Sequence, residues 1–108
     1  METKAVLAAL AALAQESRLN AFRLLVQTGP QGLAASKISE KLDVAPSSLS
    51  FHLKELTNAG LIESRQDGRF IFYSANFGTM NGLLSYLTEN CCAGESCAPS
   101  TNIKCCNP

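Results

Sequence analysis

Pro46-Ser47-Ser48-Leu49-Ser50-Phe51-His52-Leu53-Lys54-Glu55-Leu56-Thr57-Asn58-Ala59 is the stretch that decides how this chain folds. Proline suits the first position of a helix, where its missing N–H costs nothing. Leu49, Leu53 and Leu56 recur at i, i+4 and i+7, the spacing of a buried stripe. At about 100° per residue, Ser47, Phe51, Lys54 and Asn58 point the other way. Ser48, Ser50 and Glu55 flank that outward face, and His52 lies nearer the buried edge. Gly60 ends the helix.

Upstream, the tight turn Asp43-Val44-Ala45 follows a short helix, Ser36 to Leu42, that buries Ile38 and Leu42. A loop, Gln31 to Ala34, precedes it. Before that, a helix with Ser17 as its expected N-cap carries Leu19, Phe22, Leu25 and Val26 at helical spacing. Gly29-Pro30 stops it. A first helix covers Thr3 to Ala14. Downstream, Leu61 to Gln66 reads as a strand, Asp67-Gly68 as a type I′ turn and Arg69 to Ala75 as the return strand. A last helix, Phe77 to Asn90, carries Met80, Leu83, Leu84 and Leu87 on one side. The remainder is rich in Gly, Ser, Asn, Pro and Cys and has no apolar period.

The expected architecture is therefore mainly α with a β-hairpin wing: four helices, the hairpin, then a fifth helix. Residues 1–90 form the folded domain and residues 91–108 a cysteine-rich tail. The 108 residues suffice for one domain with a modest core. A core this small gains from burying more apolar surface in a dimer.

Charge says little about partners. Nine Lys and Arg balance nine Asp and Glu, so any basic footprint must come from spatial arrangement. The apolar run Ala5 to Ala14 ends in Ala12-Leu13-Ala14 and superficially resembles a signal peptide. Glu2 beside Lys4, and the dominance of alanine, favour a helix with Val6, Leu7, Leu10 and Leu13 along an interface stripe. No stretch is long enough to cross a bilayer, and the expected location is the cytoplasm.

A short helix, a tight turn, a second amphipathic helix and a hairpin make a winged helix-turn-helix, whose second helix enters the major groove of DNA. Ser36 and Lys37 on the bracing helix, and Ser47, Ser48 and Ser50 early in the reading helix, are placed to reach phosphates or base edges. Lys54 can neutralise a phosphate. Phe51 can meet a thymine methyl. Arg65 and Arg69 flank the hairpin turn, where a wing meets the backbone or minor groove. The sequence holds no nucleophile–base constellation, so an enzyme is not expected.

These stretches resemble the ArsR/SmtB family of metal-responsive bacterial repressors. The resemblance rests on Leu13-Ala14-Gln15-Glu16-Ser17-Arg18-Leu19, on Ser47 through Leu56, on Ala59-Gly60-Leu61-Ile62 and on Arg65-Gln66-Asp67-Gly68-Arg69-Phe70. It implies a homodimer through the first and last helices and a palindromic double-stranded operator. It also implies DNA-facing or adjacent positions for Ser47, Ser48, Ser50, Phe51 and His52. Two departures stand out. Family members with a Cys-x-Cys metal site carry it on the helix before the turn, and residues 35–40 here contain no cysteine. Others use His and acidic ligands on the last helix, whereas the single histidine of this chain is His52.

All five cysteines fall near the end: Cys91, Cys92, Cys97, Cys105 and Cys106. In a cytoplasmic protein such a cluster favours metal, metalloid or redox chemistry over structural disulfides. Gly94 lets the chain turn back so that Cys91, Cys92 and Cys97 converge on one soft centre. Trivalent arsenic or antimony suits three sulfurs and no nitrogen. A methylated arsenical needs only Cys91 and Cys92. The Cys-Cys ending of the last helix also resembles the C-terminal site of an arsenite-responsive branch of the family. Cys105 and Cys106 are spare ligands, a second site or a bridge to the other subunit. The expected function is a repressor induced by a trivalent arsenical, with no cofactor needed for folding. The competing reading is a winged-helix protein-interaction module with a structural zinc-thiolate tail.

Overall fold

A computed structural model describes residues 1–94. Its elements are α1 (Thr3–Leu13), α2 (Glu16–Thr28), β1 (Leu33–Ala34), α3 (Ala35–Leu42), α4 (Pro46–Asn58), β2 (Ile62–Asp67), β3 (Phe70–Ala75) and α5 (Phe77–Leu87), followed by a 3-10 turn, Cys91–Gly94. This is the winged helix-turn-helix expected from the sequence, with one strand added.

That strand lies in the stretch expected to be loop. Leu33 pairs with Tyr73 and Ala34 with Phe72, giving an antiparallel sheet in the order β1-β3-β2. Two residues carry no readable alternation; β1 exists because β3 offers it an edge. Its register brings Gly32 under the carbonyl of Tyr73 at φ +73°.

The core is built from one face of each element. Leu49, Leu53 and Leu56 of α4 meet Ile38, Phe22, Leu25, Leu61 and Ile62 in a single buried cluster. Each such side chain contributes about 1.5–3 kcal/mol by leaving water. Leu42 is only partly buried. The end of α4 is a Schellman motif around Gly60, at φ +78°. Leu61 N–H donates to Leu56 O, and Gly60 N–H to Thr57 O. This turn delivers β2 to the core.

Several local expectations shift by a few residues. The N-cap of α2 is Gln15, whose side chain accepts from Arg18 N–H, not Ser17. The hairpin pairs Asp67 with Phe70, so Gly68 and Arg69 are the central residues. Gly68 has φ +64° and Arg69 is not among the positive-φ residues, a type II′ pattern; type I′ needs positive φ at both. The last helix begins at an Asn76 cap that accepts from Thr79 N–H. It stops at Leu87 rather than Asn90, with Thr88 as its C-cap at φ −105° and ψ 6°, and Asn90 takes positive φ.

α1 divides its expected interface stripe: Leu7 and Leu10 stay on the surface, while Val6 is buried and Leu13 packs against the core. Val6, Ala9 and Ala12 are buried, while Leu7 is 61% exposed and Leu10 also faces out. Small alanines let α1 lie close against its neighbours, and the bulky Leu7 and Leu10 remain outside. Arg18 Nε donates to Ala12 O at 2.7 Å and closes the α1–α2 joint. Thr3 Oγ1 lies 2.6 Å from the Tyr86 hydroxyl, tying the start of α1 to α5.

Candidate nucleic-acid interface and thiol site

The α3–turn–α4 unit is held by a specific local lock. Asp43 takes a left-handed conformation at φ 54°, which aspartate tolerates better than most residues. Ser39 Oγ donates to Val44 O across the turn at 2.5 Å. The turn thus aims the N-terminus of α4 away from the core. No side chain caps that end, so its first N–H groups are available to an anion such as a phosphate.

The outward face of α4 carries the expected residues. Ser47, Ser48, Ser50, Phe51 and Lys54 are all exposed, and Phe51 is 57% exposed. Ser36 and Lys37 are exposed on α3. His52 is half-buried at the flank. Its Nδ1 is buried with no hydrogen-bond partner, and its ring meets Phe51 edge-on, centroids 5.8 Å apart.

The two wing arginines differ. Arg65 is already engaged: Nη2 donates to Gln31 O at 2.8 Å, and the guanidinium lies 5.1 Å from the centroid of Phe72. Phe72 is its register partner on β3. Arg65 therefore ties the wing to the turn after α2. Arg69, exposed at the hairpin tip, has no such contact. The sequence could not separate the two, because Gln31 is brought beside Arg65 only by tertiary folding.

A second surface is apolar. Leu84 and Leu87 on α5 are 53% and 56% exposed, and Leu7 and Leu10 are exposed on α1. Leu13, Leu19, Phe22, Val26 and Met80 line a groove between α2 and α5 beside them. In a monomer this face would be left to water.

Cys91 and Cys92 follow α5 in the 3-10 turn. Cys91 Sγ and Cys92 Sγ stand 3.5 Å apart, well beyond the ~2.05 Å of a disulfide. Two bonds of ~2.3 Å meeting at roughly 95–110° span about 3.4–3.8 Å. The pair therefore has the spacing at which two sulfurs share one soft centre. Cys91 is disulfide-bonded in this state, so ligation requires a reduced chain. Among the described residues no three His, Cys, Asp or Glu side chains converge as a metal site. Cys97, Cys105 and Cys106 lie outside the described residues.

Comparison with known proteins agrees with this geometry. Residues 13–65 match a family model described as a helix-turn-helix domain. The arsenical resistance operon repressor of Bacillus subtilis (strain 168) is 38% identical over 81 residues, covering 75% of this chain and 73% of that protein. An ArsR-like transcriptional regulator from Rhodococcus sp. RHA1 superposes with a TM-score of 0.68 at 29% identity, over 78% of this chain and 76% of that one. A homodimeric winged helix-turn-helix DNA-binding domain from Mycobacterium bovis shares the fold, with a TM-score of 0.64 at 24% identity over 81% of each chain. With the reading helix, the wing and a relative of this similarity in hand, the chain belongs to the ArsR/SmtB family of DNA-binding transcriptional regulators.

Proposed function

We propose that this protein is a cytoplasmic, dimeric repressor that leaves its operator when a trivalent arsenical binds thiolates at the end of α5. The observation that carries the reading is the Cys91–Cys92 pair, with sulfurs 3.5 Å apart directly beyond the apolar α1–α5 face. The Bacillus relative, named as an arsenical resistance operon repressor, points to the same inducer class. Cys97 completes a three-sulfur site for arsenite or antimonite, and a methylated arsenical needs the first two cysteines alone. Residues 1–90 form the DNA-binding and dimerisation unit, and residues 91–108 the sensing tail.

The dimer joins the α1–α5 faces and sets two copies of α4 on successive major grooves of a palindromic duplex. Homodimerisation of the Mycobacterium relative supports this use of the fold. Ser36, Lys37, Ser47, Ser48, Ser50, Phe51, His52 and Lys54 form the reading surface. Because the chain has no net charge, bulk attraction contributes little and both heads must engage together. Ligation at the end of α5 acts on the dimer helix, and so on the spacing of the heads. It releases DNA only if the unbound conformation holds the arsenical more tightly.

A mobility-shift titration with reduced protein tests this. Arsenite is expected to weaken operator binding about 5–150-fold, the usual range of such coupling. The Cys91→Ser, Cys92→Ser, Cys97→Ser triple variant is expected to bind the operator normally and ignore arsenite. Arsenite that leaves wild type and triple variant equally bound overturns the sensor assignment.

The wing yields a separate expectation. Arg69→Ala should weaken binding to every sequence alike and lower the slope of log K against log salt by about one. Arg65→Ala should instead cost about 1 kcal/mol of stability, through the lost hydrogen bond and cation–π contact at an exposed site. Salt-dependent binding isotherms and thermal melts of the two variants separate these roles.

A further inference from the structure

Within the reading helix, one side chain differs from its neighbours. The serines and Lys54 are solvated, but His52 keeps one nitrogen sealed. Nδ1 is buried with no partner. The ring as a whole is partly exposed, so Nε2 is the nitrogen left to reach outward. Phe51 packs edge-on against the ring at 63°.

A neutral imidazole carries one N–H and one acceptor nitrogen. Nδ1 lacks a partner in either tautomer, but an orphaned buried donor is rarer in proteins than an under-satisfied buried acceptor. The proton therefore sits on Nε2. Side chains in a helix lean toward its N-terminus, here toward exposed Ser48, at the end that enters the groove.

We infer that His52 reads the duplex through an Nε2–H that donates to a DNA acceptor, while Nδ1 stays dry against the domain. The acceptor is a phosphate oxygen or a purine N7; both are bare acceptors within reach of a recognition helix. This rests on the DNA-binding role of the family, and it is independent of the arsenical reading. It makes His52 a fixed, single-donor contact, unlike the serine hydroxyls around it, which rotate to donate or accept.

The test uses the full-length protein and a duplex that the wild type itself selects from random-sequence DNA. If wild type selects no duplex, the DNA-binding role fails and with it this inference. Nitrogen-15 spectra of His52 are expected to report the Nε2–H tautomer in the unbound and DNA-bound protein; an Nδ1–H tautomer in the complex overturns the assignment. Two amides then probe the two nitrogens. Gln places its amide nitrogen near the position of Nε2, and Asn places its own near Nδ1. His52→Gln is expected to bind within about threefold of wild type, and His52→Asn about tenfold or more weaker, near 1.4 kcal/mol. Equal loss in both, or better binding by the Asn variant, overturns the proposal. Should either variant melt early, the tautomer measurement on wild type still decides.

Modified duplexes identify the acceptor. If 7-deazapurine substitution erases the difference between wild type and His52→Asn, the partner is a purine N7. If neutral methylphosphonate linkages erase it, the partner is a phosphate oxygen. A difference that survives both modifications removes the donor role.

Discussion

Gly32→Ala is expected to lower the thermal midpoint by roughly 10–40 °C, at about 4–8 °C per kcal/mol for a domain of this size. Gly32 holds φ +73°, and a β-carbon there would overlap the carbonyl oxygen of Tyr73, with Ser74 Cβ 3.2 Å away. The left-handed conformation alone costs a non-glycine residue about 1–2 kcal/mol. The overlap is with backbone rather than a pliable side chain, and forcing it apart adds about 1–3 kcal/mol. The only relief is to move β1 away from β3, which breaks the Leu33–Tyr73 pairing and pulls Gln31 from Arg65. Gly68→Ala is the control. Its φ is +64°, yet nothing lies within 4 Å of the added carbon, so it is expected to lose only the conformational part. Circular-dichroism melts of both variants check this; equal drops would place the whole effect in backbone conformation and remove the close approach to Tyr73.

Leu84→Glu combined with Leu87→Glu is expected to give a folded monomer that binds the operator at least about a hundredfold more weakly, the scale on which linking two sites raises affinity. Both leucines face outward on α5, so charging them leaves the described core intact. At a dimer face the four added carboxylates would lose water and repel one another. Each reading helix would then bind alone, and a protein without net charge has little non-specific attraction to compensate. Sedimentation equilibrium and mobility shifts provide the measurements. A double variant that remains dimeric would exclude α5 as the contact.

Much of the proposed reading surface was legible before folding because its signals are local and repeated. The stripe Leu49, Leu53 and Leu56 names both faces of α4 at once: a residue out of phase with three buried leucines must face solvent. Gly60 marks the helix end because the left-handed residue of a Schellman motif favours glycine. Pro46 marks the start. The proposed site residues on α4 inherit their exposure from that period. The cysteines at 91 and 92 were legible as chemistry, since thiol clusters stand out in composition.

Where local signals were degenerate, the neighbours chose. Gln15 and Ser17 can both cap a helix, and the position of α1, closed by Arg18 on Ala12 O, selects Gln15. Asp67-Gly68 and Gly68-Arg69 can both turn a hairpin, and the pairing of Ile62 with Ala75 through Asp67 with Phe70 selects the second. Leu33-Ala34 is too short to carry a period.

The helix from Pro46 was determined by the sequence alone: its bounds to within a residue, its buried leucines and its solvent face all follow from spacing. The tertiary structure decided what that helix can present. It sealed Nδ1 of His52 while leaving the ring partly exposed, engaged Arg65 through Gln31 while leaving Arg69 at the tip, and turned Leu7 and Leu10 of α1 outward by packing its alanines inward. The physical reason is common to all three. Periodicity reports which way a residue points from its own element, but hydrogen-bond partners, burial of a single atom and close approach depend on surfaces that meet only after distant segments have packed.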